Sequence, residues 1–173
     1  MISLFVLSLA AFVFTGCGEK LPDGMPKLYP TLITVIQEGE PCEGALVQLF
    51  PEDSTLSQWG ASAVSDAKGV AEMLTNAKYK GAPLGKYKVT VMKREREPHP
   101  NPEWANLPRE DPNFQKFVQI ANDLKLYDYV QPQFSSEVKS PLQIEVTAGQ
   151  KEHKIDVGQK IKTEIVTLQS RGI

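Results

Sequence analysis

The sequence predicts a mainly β protein: an antiparallel sandwich of about seven to nine short strands, with one short helix in a long insert. Short segments rich in β-branched residues recur along the chain, and several alternate between apolar and polar side chains. Turn signals built from Gly, Pro, Asp and Asn separate these segments. No alternation of strands with helices follows, so the pattern does not indicate a parallel α/β sheet.

Four strands are predicted in the first half of the domain. Residues 31–36 and 45–50 are rich in apolar and β-branched side chains, as strands are. Residues 59–65 are a weaker strand candidate. Residues 66–69 place a glycine where a hairpin turn requires a positive φ, and residues 70–75 are expected to return from that turn.

The second half carries the clearest alternation. Within residues 86–92, Tyr87 and the two valines that follow it share one face of the predicted strand. The position of Tyr87 after Gly85 also predicts a tyrosine corner, in which the hydroxyl of a buried ring bonds an upstream backbone group. Residues 142–146 and 153–157 alternate in the same way, with a turn between them, and residues 161–168 could add a last strand.

A proline-rich insert at residues 94–135 interrupts this pattern. Asp111 and Pro112 supply an N-cap and a proline at the first helical position, which predicts a helix of about twelve residues within 112–126. So short a helix is marginal alone, so its apolar stripe has to dock on the sandwich or on a partner protein. The stripe consists of Phe114, Phe117, Val118, Ala121 and Leu124.

The N-terminus predicts the location of the protein. Residues 1–16 hold twelve apolar side chains and no charge. A short apolar core followed by small residues is typical of a secretory signal peptide and shorter than the roughly 20 residues of a membrane span. The sequence Phe-Thr-Gly-Cys at residues 14–17 resembles the bacterial lipobox, which implies cleavage before Cys17 and lipid attachment to it. The alternatives are a secreted protein cut elsewhere or an uncleaved anchor.

Lipidation of Cys17 would determine where the tether and the folded domain begin. Two or more acyl chains hold a protein stably on a membrane, and the lipoprotein resemblance implies three. Residues 17–27 then form the lipidated cysteine and tether, and residues 28–173 form the domain on the periplasmic side of the envelope. Gly18 in place of an aspartate favours the outer membrane by the same resemblance. Cys42 would remain as the only thiol, which predicts a small buried hydrophobic residue.

The composition limits the possible functions. Lys+Arg 19 against Asp+Glu 21 gives a net charge of -2, which argues against a nucleic-acid partner. With two histidines and two cysteines, the chain has little material for a multi-ligand metal site, and we predict no metal and no cofactor. Hydrophobic residues at 41% and charged residues at 23% are ordinary for a globular protein.

Several segments resemble the carboxypeptidase regulatory-like, or transthyretin-like, domains found in bacterial envelope lipoproteins. These segments are residues 39–45, 47–52, 65–69, 81–91 and 140–149. The resemblance covers residues 28–158 and implies a Greek-key sandwich that serves as a binding, folding or attachment module without chemistry of its own. The helix and the strand after residue 158 depart from the family pattern.

The transthyretin-like fold includes one enzyme branch, the 5-hydroxyisourate hydrolases, which use paired histidines, an arginine and a C-terminal Tyr-Arg-Gly-Ser. This chain ends in Arg-Gly-Ile and lacks that tyrosine. We predict that His99 is solvated in the insert and that His153 lies on a strand, so no catalytic residue is predicted. In a metal-binding alternative, Glu95, Glu97 and His99 alternate along an extended chain and could face a cation, although a solvated linker explains the same residues.

The insert is where we expect a binding face, because binding residues are often carried by loops on a rigid scaffold. The candidate residues are Trp104, Phe114, Tyr127 and Tyr129, of which Trp104 is the one most expected to be exposed. The leading hypothesis is a non-enzymatic, lipid-anchored module that presents this insert to an envelope protein or glycan. The alternatives are a small periplasmic hydrolase, a metal-binding protein, and a structural accessory that adds strands from other chains.

Overall fold

The computed structural model describes residues 21–165, which form fifteen short strands, one α-helix and three 3₁₀ helices. The strands are β1 Leu28–Tyr29, β2 Leu32–Gln37, β3 Glu40–Pro41, β4 Leu46–Pro51, β5 Ala61–Val64, β6 Val70–Glu72, β7 Leu74–Thr75, β8 Tyr79–Lys80, β9 Ala82–Pro83, β10 Gly85–Met92, β11 Arg94–Arg96, β12 Leu126–Asp128, β13 Gln143–Val146, β14 Glu152–Asp156 and β15 Thr163–Ile165. The helix α1 is Pro112–Asp123, and the 3₁₀ helices are Ser54–Trp59, Pro102–Asn106 and Pro132–Ser135.

Some predicted features lie outside the described residues. They are the signal peptide at residues 1–16, the lipid site Cys17, the tether up to residue 20, the end of the last predicted strand at residues 166–168 and the chain terminus. Among the residues that are described, the helix is too short and too polar to cross a membrane.

The larger sheet has six strands in the order β13-β10-β4-β5-β7-β8, and every neighbouring pair is antiparallel. The long strand β10 lies between β13 and β4. Tyr87, Val89 and Val91 are fully buried on its inner face, which confirms the predicted alternation. The described residues are therefore mainly β, with antiparallel sheets and one α-helix, as predicted.

The second sheet is built around β2. Strand β14 pairs with one edge of β2, and β3 and β6 pair with the other. The β2–β14 pair is parallel, so the expectation of purely antiparallel pairing is wrong at this place. The strands predicted at 142–146 and 153–157 do form, as β13 and β14, but they do not pair as a hairpin, because β13 joins the larger sheet while β14 joins the second one.

The two sheets share one apolar core. Apolar residues of β2 and β14 belong to the same buried cluster as those of β4, β10 and β13. Splitting β13 and β14 between the sheets lets the alternating residues of both strands reach this core from opposite sides: Ile144 and Val146 from one, Ile155 from the other. The burial of apolar surface in this cluster is the main force that holds the sandwich together.

Residues 59–75 also differ from the predicted strands. Trp59 lies at the end of the 3₁₀ helix Ser54–Trp59, and the strand begins only at Ala61. The predicted turn at residues 66–69 does form, because an Asp66 carboxylate oxygen accepts from two backbone amides and Gly69 has a φ of 73°. It is not a hairpin, because β5 and β6 belong to different sheets. Fully buried Met73 separates β6 from β7, so the predicted strand 70–75 is shared between both sheets.

The predicted tyrosine corner is present. The hydroxyl of Tyr87 donates to the backbone oxygen of Pro83 at 2.8 Å, and the whole side chain is buried. Burial also raises the pKa of Tyr87 to about 12, because the phenolate would lose its hydration. The hydrogen bond connects the start of the central strand β10 to β9.

We predict that Tyr87→Phe lowers the free energy of unfolding by about 1–2 kcal/mol at pH 7, because the buried Pro83 carbonyl loses its donor. The unfolded tyrosine ionises near pH 10 and the folded one near pH 12, so this stabilisation is present below pH 10 and lost as the pH rises. At pH 11 the wild type should have lost about 1.4 kcal/mol relative to the phenylalanine variant. Urea unfolding of both proteins at pH 7 and pH 11 measures this, and a constant difference at both pH values would contradict the assignment.

The turn between β7 and β8 stores backbone strain. Two of its three residues, Asn76 and Ala77, have φ values of 51° and 56°, in the left-handed region. Asparagine tolerates this left-handed region, whereas alanine pays about 1 kcal/mol or more to occupy it.

We predict that Ala77→Gly raises the free energy of unfolding by about 0.5–1 kcal/mol, because the strain relieved exceeds the added entropy of the unfolded chain. Ala67→Gly is the matched control, since Ala67 is an exposed turn residue without a positive φ. The control should be neutral or destabilising. Equal effects of the two substitutions on the urea midpoint would show that Ala77 carries no strain.

Candidate functional site

The insert contributes two strands to a small sheet that a later strand completes. Strands β11, β12 and β15 make a three-stranded antiparallel sheet with β12 in the middle. Strand β15 confirms part of the last predicted strand, within the residues that are described. Lys125 and Glu164 form an ion pair of 2.8 Å beside this sheet.

The C-terminal part of the insert belongs to the sandwich core. Val130 is fully buried and Phe134 is 8% exposed, and both belong to the core cluster. The side-chain amide of Gln37 on β2 also donates to the backbone oxygen of Tyr129 at 2.8 Å. The predicted insert 94–135 therefore leaves the sandwich at β11 and has returned to it by Val130.

The predicted helix is confirmed as α1, and its N-cap is the predicted one. A carboxylate oxygen of Asp111 accepts from the backbone N–H of Asn113 at 2.8 Å, and Pro112 is the first helical residue. No residue of α1 is buried, and its apolar stripe is half-exposed. The helix packs on the 3₁₀ helix Pro102–Asn106 of the same insert. The stripe therefore lies outside the sandwich core, where docking on the sandwich was one of the two expectations.

His99 holds α1 in place, so the prediction that it is solvated is wrong. Its ring lies 4.2 Å from the Phe117 ring, measured between centroids. Its Nδ1 accepts from the backbone N–H of Asn101 at 3.0 Å, which leaves the proton on Nε2 to donate to the Phe117 oxygen at 3.2 Å. No sequence motif predicts this contact, because the two residues are 18 positions apart in the chain.

Arg96 makes a second connection between the small sheet and the helix. Its Nη1 donates to the backbone oxygen of Ala121 in the last turn of α1 at 2.6 Å. The carbonyl groups at this end of a helix are unsatisfied and carry partial negative charge, so a guanidinium stabilises them. The helix is therefore held at two places.

The four predicted binding residues fall into two pairs. Trp104 on the 3₁₀ helix and Phe114 on α1 belong to the two helical elements that pack on each other, and both side chains are half-exposed. Tyr127 lies on β12 and Tyr129 directly follows this strand; both are half-exposed, and buried Asp128 lies between them. The expectation that Trp104 is exposed is thus only half met.

The tyrosine pair is surrounded by charged side chains. The hydroxyl of Tyr127 donates to a carboxylate oxygen of Glu97 at 2.9 Å, and this bond raises the pKa of Tyr127. The ammonium group of Lys162 lies 4.3 Å from the centre of the Tyr127 ring, and that of Lys160 lies 5.3 Å from the Tyr129 ring. Both distances are in the range of cation–π attraction.

The residues of the metal-binding alternative have separate partners. Glu95 pairs with Lys93 at 3.4 Å, Glu97 accepts from Tyr127, and His99 contacts the helix. Across residues 21–165, no three His, Cys, Asp or Glu side chains are grouped so that they could hold a metal ion.

The second histidine lies in the other sheet. His153 on β14 is 9% exposed, and its Nδ1 lies 3.4 Å from the side-chain amide of Gln150. Its Nε2 is buried without a hydrogen-bond partner among the described residues. Burial lowers the pKa of His153, because the protonated form would lose its hydration. His99 and His153 thus have different partners in different parts of the fold.

Cys42 is buried with a free thiol, as predicted. Its Sγ lies 3.8 Å from the side-chain oxygen of Gln37, and burial raises the pKa of the thiol. A buried thiol with a raised pKa is a poor nucleophile, so Cys42 fits a structural role in the core.

No protein-family model, curated protein or solved structure matches this chain. Its class is therefore defined by its own geometry: a two-sheet β scaffold that carries a helical insert outside the core. The resemblance to transthyretin-like domains and the Greek-key topology remain predictions.

We predict that His99→Ala loosens the helix without unfolding the sandwich. The substitution removes the ring contact with Phe117 and two hydrogen bonds, so amide exchange in α1 should accelerate about tenfold. The free energy of unfolding of the sandwich, measured with urea, should change by less than about 0.5 kcal/mol, because α1 contributes no buried residue. Lys116→Ala, on the exposed side of α1, is the control. Unchanged exchange in α1 would show that His99 does not hold the helix.

Proposed function

We propose that this chain is a non-enzymatic, lipid-anchored module of the cell envelope that presents its insert to an envelope protein or glycan. The observation that carries the proposal is the position of α1. The helix lies in the insert, outside the shared core, and its apolar stripe remains half-exposed.

The physical argument starts from the cost of this arrangement. A twelve-residue helix is marginal in water, and most helices gain their stability by burying an apolar face. Helix α1 lacks such burial, and contacts from His99 and Arg96 hold it instead. An ordered but half-exposed apolar stripe can gain further stability by contact with a partner.

The residue types of the insert also suit binding. Trp104 and Phe114 are half-exposed on the two packed helical elements, and tryptophan is enriched among the residues that dominate binding energy. The tyrosine pair adds rings bordered by lysines and glutamates. Binding residues on an insert of a rigid scaffold are a common arrangement.

Lipid attachment at Cys17 is the second part of the proposal. It is supported by the apolar residues 1–16 and by the Phe-Thr-Gly-Cys sequence that follows. We place the domain on the periplasmic side, favouring the outer membrane. The proposal includes a transthyretin-like Greek-key scaffold, which the buried Tyr87 corner and the two-sheet core support.

Residues 98–124 of the insert can be replaced without removing a buried residue. The backbone N–H of Glu97 donates to the oxygen of Lys125 at 2.9 Å, so these residues are already neighbours across β11 and β12. We predict that replacing residues 98–124 by Asn-Gly closes a two-residue hairpin and leaves core residues Val130 and Phe134 in place. The urea midpoint should be nearly unchanged, whereas the partner that co-purifies with the full chain from detergent-solubilised membranes should be lost.

Point variants separate binding from folding. Trp104→Ala with Phe114→Ala should weaken partner binding at least about thirtyfold, equivalent to about 2 kcal/mol. The matched control is Val64→Ala with Val138→Ala, two exposed apolar residues outside the insert, 61% and 91% exposed. A partner retained by the hairpin variant would overturn the assignment of the insert as the binding face. Unfolding of that variant would show that the insert is needed for the fold.

Mass spectrometry of the mature N-terminus tests the lipid attachment at Cys17, and an unmodified cysteine contradicts the lipid anchor.

A further inference from the structure

A cleft of about 430 Å³ lies at the start of the described chain, away from the insert elements. It is lined by Leu21, Lys27, Leu28, Lys78, Tyr79 and Lys80. We propose that this cleft binds the phosphate-bearing headgroup of an anionic phospholipid in the membrane that holds the anchor. This inference rests on the lipid attachment at Cys17 proposed above.

The cleft is built where two short strands meet. Strand β8 is the outermost strand of the six-stranded sheet, and β1 lies beside it. The strained turn at Asn76 and Ala77 precedes Lys78 and β8. Leu28, Tyr79 and Lys80 of the lining lie on these strands, and Lys27 and Lys78 directly precede them.

The lining combines positive charge with apolar surface. Three of its six side chains are lysines, whereas the whole chain has a net charge of -2. The ammonium groups of Lys27 and Lys78 lie 5.1 and 4.9 Å from the ring centres of neighbouring tyrosines. Lysine is a common phosphate ligand, and tyrosine is enriched at membrane–water interfaces. An attraction to anionic lipid therefore has to come from this local cluster rather than from the protein as a whole.

The acidic side chain of Glu72 reduces the local charge. Glu72 pairs with Lys80 at 3.1 Å, and both side chains are largely exposed, at 54% and 74%. Such an exposed pair contributes little free energy and is screened by salt. Lys80 can therefore exchange this partner for a lipid phosphate.

The tether places the cleft at the membrane surface. Four peptide units separate Cys17 from Leu21, and each spans at most about 3.6 Å, so Leu21 lies within about 14 Å of the lipidated residue. The headgroup region is about 5–8 Å deep on each side of a bilayer, and the Debye length at physiological salt is about 8 Å. When the tether is less than fully extended, the lysines near Leu21 lie where an anionic surface can attract them.

The experiment uses the full chain, expressed with its own N-terminus and purified from membranes. It is reconstituted in nanodiscs of phosphatidylcholine alone or with one-third phosphatidylglycerol, and amide exchange is measured at residues 27–29 and 78–80. We expect exchange at these amides to be at least about fivefold slower with the anionic lipid, the effect of roughly one lysine near a charged surface.

Matched variants identify the lysines responsible. The triple variant Lys27→Gln, Lys78→Gln, Lys80→Gln keeps long side chains but removes the charge, and it should lose the protection. The control Lys116→Gln, Lys139→Gln, Lys154→Gln removes three exposed charges elsewhere and should keep it. Thermal unfolding of both variants checks that a loss of protection is not due to unfolding.

Each remaining outcome decides against the proposal. Equal exchange in both nanodiscs, with Cys17 found modified by mass spectrometry, overturns the headgroup site alone. An unmodified Cys17 contradicts the proposed anchor and removes the short tether on which this site depends. Equal protection by inorganic phosphate in detergent without lipid would assign the cleft to a soluble anion and overturn its assignment to the membrane.

Discussion

The apolar core shared by two sheets is the constraint on which the rest of the structure depends. Strands β4 and β10 supply one side of this core and β2 and β14 the other, and the buried Tyr87 fixes the start of β10 against Pro83. Because this core is complete without any residue of α1, the chain can leave it after β10 and return at Val130. The insert is therefore carried by the scaffold, and its sequence is free of the packing constraints that govern the strands.

The individual strands could be predicted from the sequence because a period of two is a local signal. Residues 86–92 show it, and the structure places their apolar members in the core. The assignment of strands to sheets could not be predicted in the same way. The patterns of β13 and β14 are satisfied equally by a hairpin in one sheet and by two strands on opposite sides of the core. Only the whole core decides between these arrangements, and it places β14 parallel to β2.

The same limit applies to the candidate site. Asp111 and Pro112 predicted where α1 begins, because capping depends on adjacent residues. The surface on which α1 packs depends on His99 and Arg96, whose contacts reach 18 and 25 residues along the chain. His99 looked like a linker residue because its neighbours are prolines and charged residues. The fold turns it into the side chain that orders the helix.

The strand order of the larger sheet separates the two proposed surfaces. Strand β8, which lines the basic cleft, is at one edge, and four inter-strand steps lead from it to β10, after which the insert begins. At about 4.8 Å per step, these positions are roughly 19 Å apart across the sheet. If the proposed tether holds the domain near its β8 edge, the insert begins away from that edge. The proposed membrane contact and the proposed partner contact use different residues, so a substitution at one surface leaves the side chains of the other intact.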